Sequence, residues 1–159
     1  MSERQIRENP AGRGLGLWSA GVLAVVTSLP WAASSGLPDR LATHWSSNSG
    51  PDEAVPFWAA AFVPGLIWTV TVLVVLLVRW RGGAAANVRL RAGTTAALLG
   101  GGVFLVGVQV CVVLANLGHE DWREADSPTA WAVAAGLSAT LAGLAGWQGV
   151  IRSTRSRTT

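Results

Sequence analysis

Four long stretches of this chain contain no Asp, Glu, Lys or Arg: residues 14–38, 54–78, 92–119 (its one His taken as neutral) and 127–151. Charged residues make up 13% of the sequence, against about 25% in ordinary soluble domains. A chain so poor in charge, with half its residues hydrophobic, lacks the polar surface to cover itself in water. Each uncharged run exceeds the ~20 residues with which a helix crosses a ~30 Å hydrocarbon layer. Lipid offers the backbone no hydrogen-bond partners, so a crossing segment is either a helix or a strand of a closed barrel. Barrel strands are about ten residues long with alternating polarity, whereas these runs are longer and continuously apolar. The expected fold is therefore all-α: four transmembrane helices in one bundle.

The spans are placed at 15–33, 57–78, 94–117 and 129–150. They follow a segment of residues 1–13 and are joined by loops 34–56, 79–93 and 118–128, with a basic tail at 152–159. Pro56 and Pro128 fall at or just before helix starts, where a missing N–H costs little. Ser127 is the expected N-cap of the fourth span, and Pro64 falls inside the second. Gly12, Gly14 and Gly16 follow no strand and do not complete a phosphate loop, so they are read as a flexible run into the first helix. Residues 152–159, short and polar, are expected to be disordered.

Arginine sets the expected orientation. All twelve basic residues are Arg, and ten lie in three alternate segments: Arg4, Arg7 and Arg13; Arg79, Arg81, Arg89 and Arg91; Arg152, Arg155 and Arg157. The other two loops hold only Arg40 and Arg123. Positive residues stay on the cytoplasmic side, which predicts a multi-pass cell-membrane protein with both termini inside. The acids mirror this: Asp39, Asp52, Glu53, Glu120, Asp121, Glu124 and Asp126 fall outside, and only Glu3 and Glu8 inside. One-sided arginine explains the net charge of +3 without nucleic acid as a partner. Trp18, Trp31, Trp58, Trp80, Trp131 and Trp147 lie near span ends, as an interfacial belt requires, and Trp68 lies mid-span. A rival reading takes the first span as a cleavable signal ending near Ala32–Ser34, but its uncharged run is long for that purpose.

Helices in lipid associate through close packing of small residues. Gly93, Ala97 and Gly101 in the third span, followed by Gly107, Cys111 and Ala115, and Ala135, Ala139 and Gly143 in the fourth, with Ala142 and Gly146 beside them, recur at four-residue spacing and are the expected packing ridges. Cys111, the single cysteine, is read as another small packing residue. Gln109 and Asn116 are the polar residues of the third span, and Gln109 is expected to hydrogen-bond across the bundle.

No acid or base sits inside a span, where proton- or ion-coupled transporters keep one, and no catalytic motif or cysteine pair is present. The informative segment is the first outer loop, LPDRLATHWSSNSGPDEAVP. Pro38–Asp39 and residues 49–52 carry turn chemistry, and residues 40–45 between them are expected to run extended. This loop resembles the signature LPxxIPxHFxxxGxPDG of the domain-of-unknown-function 1648 family, found in small bacterial membrane proteins. Leu37, Pro38, His44, Trp45, Gly50, Pro51 and Asp52 carry the resemblance. Glu53 stands where the family usually has Gly, and Ala42 where Pro is common. The family includes the N-terminal part of Sdp-type immunity proteins, which also signal by holding a repressor at the membrane. The resemblance implies a family and a topology and does not carry over immunity itself. The expected role is a non-enzymatic one in sensing, signalling or immunity-like recognition through the outer loop, with no cofactor. Its partners beyond the bilayer would be an extracytoplasmic peptide, another membrane protein or a cytoplasmic regulator.

Two alternatives compete. A metal-dependent membrane enzyme would use His44, Asp52 and His119 as ligands, since imidazole with carboxylates suits zinc. An accessory subunit of a transporter would need no site of its own. The structural counterpart is that His44 caps the loop by hydrogen bonds while Trp45 anchors it at the interface. The arginine clusters are read as attracting anionic headgroups or docking a cytoplasmic protein.

Overall fold

The computed structural model describes residues 10–46, 50–82 and 87–156. Residues 3, 4, 7, 8, 49 and 157, on which parts of the charge and turn expectations rest, lie outside them. Four helices carry the fold: α1 (Pro10–Ala32), α2 (Phe57–Gly82), α3 (Val88–Asn116) and α4 (Thr129–Arg155). Between α1 and α2 lie a 3-10 turn at Ser34–Gly36 and two strands, β1 (Arg40–Ser46) and β2 (Gly50–Pro56); a second 3-10 turn, Trp122–Glu124, joins α3 to α4.

All four helices are long and apolar enough to cross a bilayer. At 1.5 Å per residue even the 23 residues of α1 extend about 35 Å. The surface agrees with a lipid environment. Phe62, Leu66, Leu73, Leu76, Leu137 and Leu141 are each more than half exposed, a pattern that water would penalise. Two hydroxyls within the second span are satisfied by their own helix: Thr69 donates to Gly65 O and Thr71 to Ile67 O, as lipid favours. The chain is thus a multi-pass integral membrane protein in contact with lipid.

Neighbouring helices run antiparallel, up-down-up-down, and α3 is their hub. Three consecutive glycines show why. Residues on a helix step by about 100°, so Gly100, Gly101 and Gly102 face three directions. A Cβ at Gly100 would lie 2.9 Å from Ala139 O of α4, one at Gly101 would lie 3.7 Å from the Trp68 ring of α2, and one at Gly102 would lie 2.9 Å from Trp18 Nε1 of α1. Each face of α3 admits one neighbour, and the absent side chains let it approach. Van der Waals packing of this kind replaces the hydrophobic drive that lipid cannot supply.

At the α3–α4 contact Gly107, Ala135, Ala139 and Gly143 pack as expected, while the Gly93–Ala97–Gly101 row gives way to one shifted by one position. Ala96, Gly100 and Gly107 of α3 meet Gly143, Ala139 and Ala135 of α4. Ala97 is exposed and Gly101 turns to α2; Gly93 reaches α4 only through the Trp147 ring, 3.7 Å from its added Cβ. In an Ala- and Gly-rich helix several small-residue rows coexist, and the partner's position selects among them.

Trp18, expected near an interface, and Trp68, expected at mid-span either to pack or to face lipid, both hold the bundle. Trp68, 2% exposed, donates from Nε1 to Ser19 O at 2.9 Å, and Trp18 donates to Leu98 O at 2.9 Å. Trp31, Trp58, Trp80 and Trp131 are more than half exposed, as members of an interfacial belt would be.

Pro64 explains the buried Gln109. Proline has no N–H, so the carbonyl four residues earlier loses its helical donor. That carbonyl belongs to Ala60, and Gln109 Nε2 donates to it at 3.0 Å. The expected cross-bundle bond exists, and it repairs the gap that proline leaves in α2.

Several boundaries differ from expectation. Gly12, Gly14 and Gly16 lie within α1, which begins at Pro10; helical pairing satisfies backbone groups that a loose run near lipid would leave open. Both α2 and α3 extend into residues 79–93, and α4 continues through Arg155, so the first half of the tail is helical. Pro128, whose ring carries no hydrogen-bonding atom, occupies the N-cap of α4, and the Ser127 hydroxyl, expected to cap, instead bonds the Thr129 hydroxyl at 2.8 Å.

Candidate functional site

The segment 34–56 is expected to be a loop with a short extended piece; its described residues, 34–46 and 50–56, form a cap at one end of the bundle. β1 and β2 form an antiparallel two-stranded sheet. An isolated hairpin is marginal in water, so its stability must come from the helices beneath. At its base Phe57 N donates to Asp39 O at 2.9 Å, and Gly118 N donates to Gly36 O at 2.8 Å. Pro38, Leu41 and Ala42 are buried, the last two completely.

The central attachment is Asn116, the last residue of α3 and fully buried. Its Oδ1 accepts from Ala42 N at 2.8 Å, and its Nδ2 donates to Ala42 O at 3.0 Å and to Val112 O at 2.8 Å. The carboxamide thus acts as a one-residue strand partner on the edge of β1. This residue type presents a donor and an acceptor side by side, which the clamp needs. On β2, Arg40 Nη2 reaches Ala54 O at 2.6 Å.

Towards the tip the pairing runs Ala42↔Ala54, His44↔Glu53 and Trp45↔Pro51. Thr43 on β1 and Asp52 on β2 are therefore extra residues, two bulges that cancel in register. Bulges re-aim side chains; here His44 Nδ1 and Asp52 Oδ1 meet at 2.6 Å on the exposed face. The hydrogen bond that the His44 ring donates to the Asp52 carboxylate raises the His44 pKa above its ordinary 6.5; the charges of Asp52 and, less, Glu53 add to it. Gly50, with φ of +75°, enters β2 in the left-handed region that other residues rarely adopt. Trp45 is half-buried, and its Nε1 is closed off from solvent with no hydrogen-bond partner among the described residues. It lies within the cap, opposite Pro51.

The motif residues thus have separable positions. Leu37 and Pro38 sit at the base, Trp45 and Pro51 face each other across the strands, Gly50 turns the chain, and His44 and Asp52 bridge the tip. Two residues outside the motif, Leu41 and Asn116, hold it down. The signal for Asn116 was its rarity as a polar residue in an apolar span, which does not reveal its partner.

The connection between α3 and α4 completes the cap. Asp126 N donates to Ala115 O at 2.8 Å, and the turn Trp122–Glu124 packs against both strands. Arg123 stacks over the Trp122 ring at 4.5 Å and pairs with Asp121 at 3.3 Å. His119 faces Asp126 at 3.6 Å. The metal candidates are therefore not gathered into one site: His44 is taken by Asp52 and His119 by Asp126. Among the described residues no group of three or more His, Cys, Asp or Glu side chains is placed to hold an ion.

Fold and cap together define a class: a four-pass membrane protein with a clamped hairpin outside the bilayer at one end and arginine-rich helix ends at the other. No family profile, curated protein or solved structure matches the chain.

Proposed function

We propose that this chain is a non-enzymatic cell-membrane protein whose hairpin is an extracytoplasmic recognition element in sensing, signalling or immunity. The observation that carries the reading is the contrast within the hairpin. Its base is locked to α3 through the buried Asn116–Ala42 clamp, while His44, Asp52 and Glu53 stand exposed at its far end. A ligand pulling on the tip would act on the end of α3, the helix that every other helix touches. The resemblance of segment 37–52 to the domain-of-unknown-function 1648 signature supports the same role, in a bacterial setting. The excess of carboxylates around the hairpin favours a cationic peptide as ligand. The arginine end then faces the cytoplasm under the positive-inside rule.

Two measurements test this. Thr43→Cys and Arg89→Cys, each with Cys111→Ala, are labelled in intact cells with a membrane-impermeant thiol reagent; the reading requires labelling at 43 and protection at 89. A photo-crosslinking amino acid is then placed at Thr43 or Glu53, with lipid-facing Leu137 as control. A discrete peptide or protein adduct at the hairpin positions, lost in an Asn116→Asp background, supports recognition coupled to the clamp. Lipid adducts alone at all three positions overturn it.

A further inference from the structure

At the opposite end, Arg79 is held in an unusual way. It is the first charged residue after the apolar run of α2, and arginines that flank a span reach towards the headgroups. Its Nε donates to Thr94 Oγ1 and its Nη2 to Thr95 Oγ1, both at 2.8 Å. Thr94 in turn is fixed by its own donation to Leu90 O and Arg91 O at 2.9 and 3.1 Å. The guanidinium is thus oriented by two neutral hydroxyls of α3. A guanidinium has five N–H donors, and these bonds use two.

Among the described residues no carboxylate pairs with Arg79, and every Asp and Glu lies at the hairpin end. Arg91, on the neighbouring helix, is close enough to repel it electrostatically. Arg79 is half-buried and Arg91 exposed beside it, and two neighbouring cations are favoured when an anion joins them. Salt bridges would neutralise arginine; hydroxyl acceptors orient it and leave its charge available. A fork held this way suits a phosphate oxygen pair, which arginine binds bidentately.

We infer that Arg79, oriented by Thr94 and Thr95, forms with Arg91 a binding site for the phosphate of an anionic phospholipid headgroup. Phosphate chemistry is shared by lipid headgroups and free phosphate. The position favours lipid, because a bilayer places phosphates at this depth whatever the cytosol contains. The site does not depend on the hairpin's role or on which leaflet it faces.

The test is native mass spectrometry of the detergent-purified protein titrated with phosphatidylglycerol, phosphatidylcholine or inorganic phosphate. Phosphatidylglycerol should be retained in preference to phosphatidylcholine. Loss of a charge-assisted bidentate contact should weaken that retention about tenfold in Arg79→Gln. Arg79→Lys, which keeps the charge and loses the fork, should also weaken it. Thr94→Val with Thr95→Val, which keeps both arginines, should weaken it as well. Arg123→Gln, at the other end, should not. Equal retention of the two lipids, or full retention in the double threonine variant, would overturn the site. Displacement of lipid by millimolar inorganic phosphate would overturn the assignment to lipid. The threonine pair keeps the test decisive if Arg79→Gln melts early.

Discussion

Replacing Asn116 by Ala should release the hairpin from the bundle. The structure allows the size to be worked out. Ala42 is fully buried, and both its backbone N–H and its C=O are satisfied by the Asn116 side chain. Truncation leaves two buried polar groups without partners, at about 1–3 kcal/mol each, or roughly 2–6 kcal/mol together before water enters. A local loss of about 3 kcal/mol corresponds to roughly 100-fold more opening, at 1.4 kcal/mol per factor of ten. Amide hydrogen exchange over Arg40–Ser46, followed by mass spectrometry in detergent or nanodiscs, reads this directly. Asn116→Asp sharpens the test. It preserves shape and the acceptor for Ala42 N–H but turns an oxygen towards Ala42 O, so it should loosen β1 at least as much. If Asp were tolerated and exchange stayed within about twofold of the parent protein, Asn116 would be a packing residue and the clamp argument would fail.

Gln109→Leu should destabilise the bundle by about 1 kcal/mol, near the usual worth of a buried interhelical hydrogen bond in a membrane. In a Pro64→Ala background, where the restored N–H can serve Ala60 O, most of that loss should vanish in a double-mutant unfolding cycle. Gly107→Ala places a Cβ 2.5 Å from that of Ala135 and should lower stability by about 1–3 kcal/mol through overpacking. Gly136→Ala, with nothing within 4 Å, should show no such clash, and paired melting curves compare the two. For His44, the folded pKa is raised, so its contribution to hairpin stability is complete below the ordinary value of 6.5 and is lost as pH rises through the raised value. An NMR titration of the ring should show that upward shift, and Asp52→Asn should bring it back towards 6.5.

Sequence alone determined the number, type and approximate limits of the spans, because lipid imposes one stringent requirement on every residue it touches and four uncharged runs meet it. It also picked out His44, Asp52 and Gly50 as a constellation. Tertiary structure decided what those residues do. The two compensating bulges that join His44 to Asp52 are properties of strand register, invisible in a one-dimensional pattern. The same holds for the row of small residues that meets α4: Gly93–Ala97–Gly101 and Ala96–Gly100 are equally good on paper, and only the placement of a partner helix distinguishes them. Gln109 with Ala60, and Asn116 with Ala42, pair across 49 and 74 residues. Such partners are chosen by which buried backbone groups lack a donor or acceptor once the helices have packed, and that vacancy exists only in three dimensions.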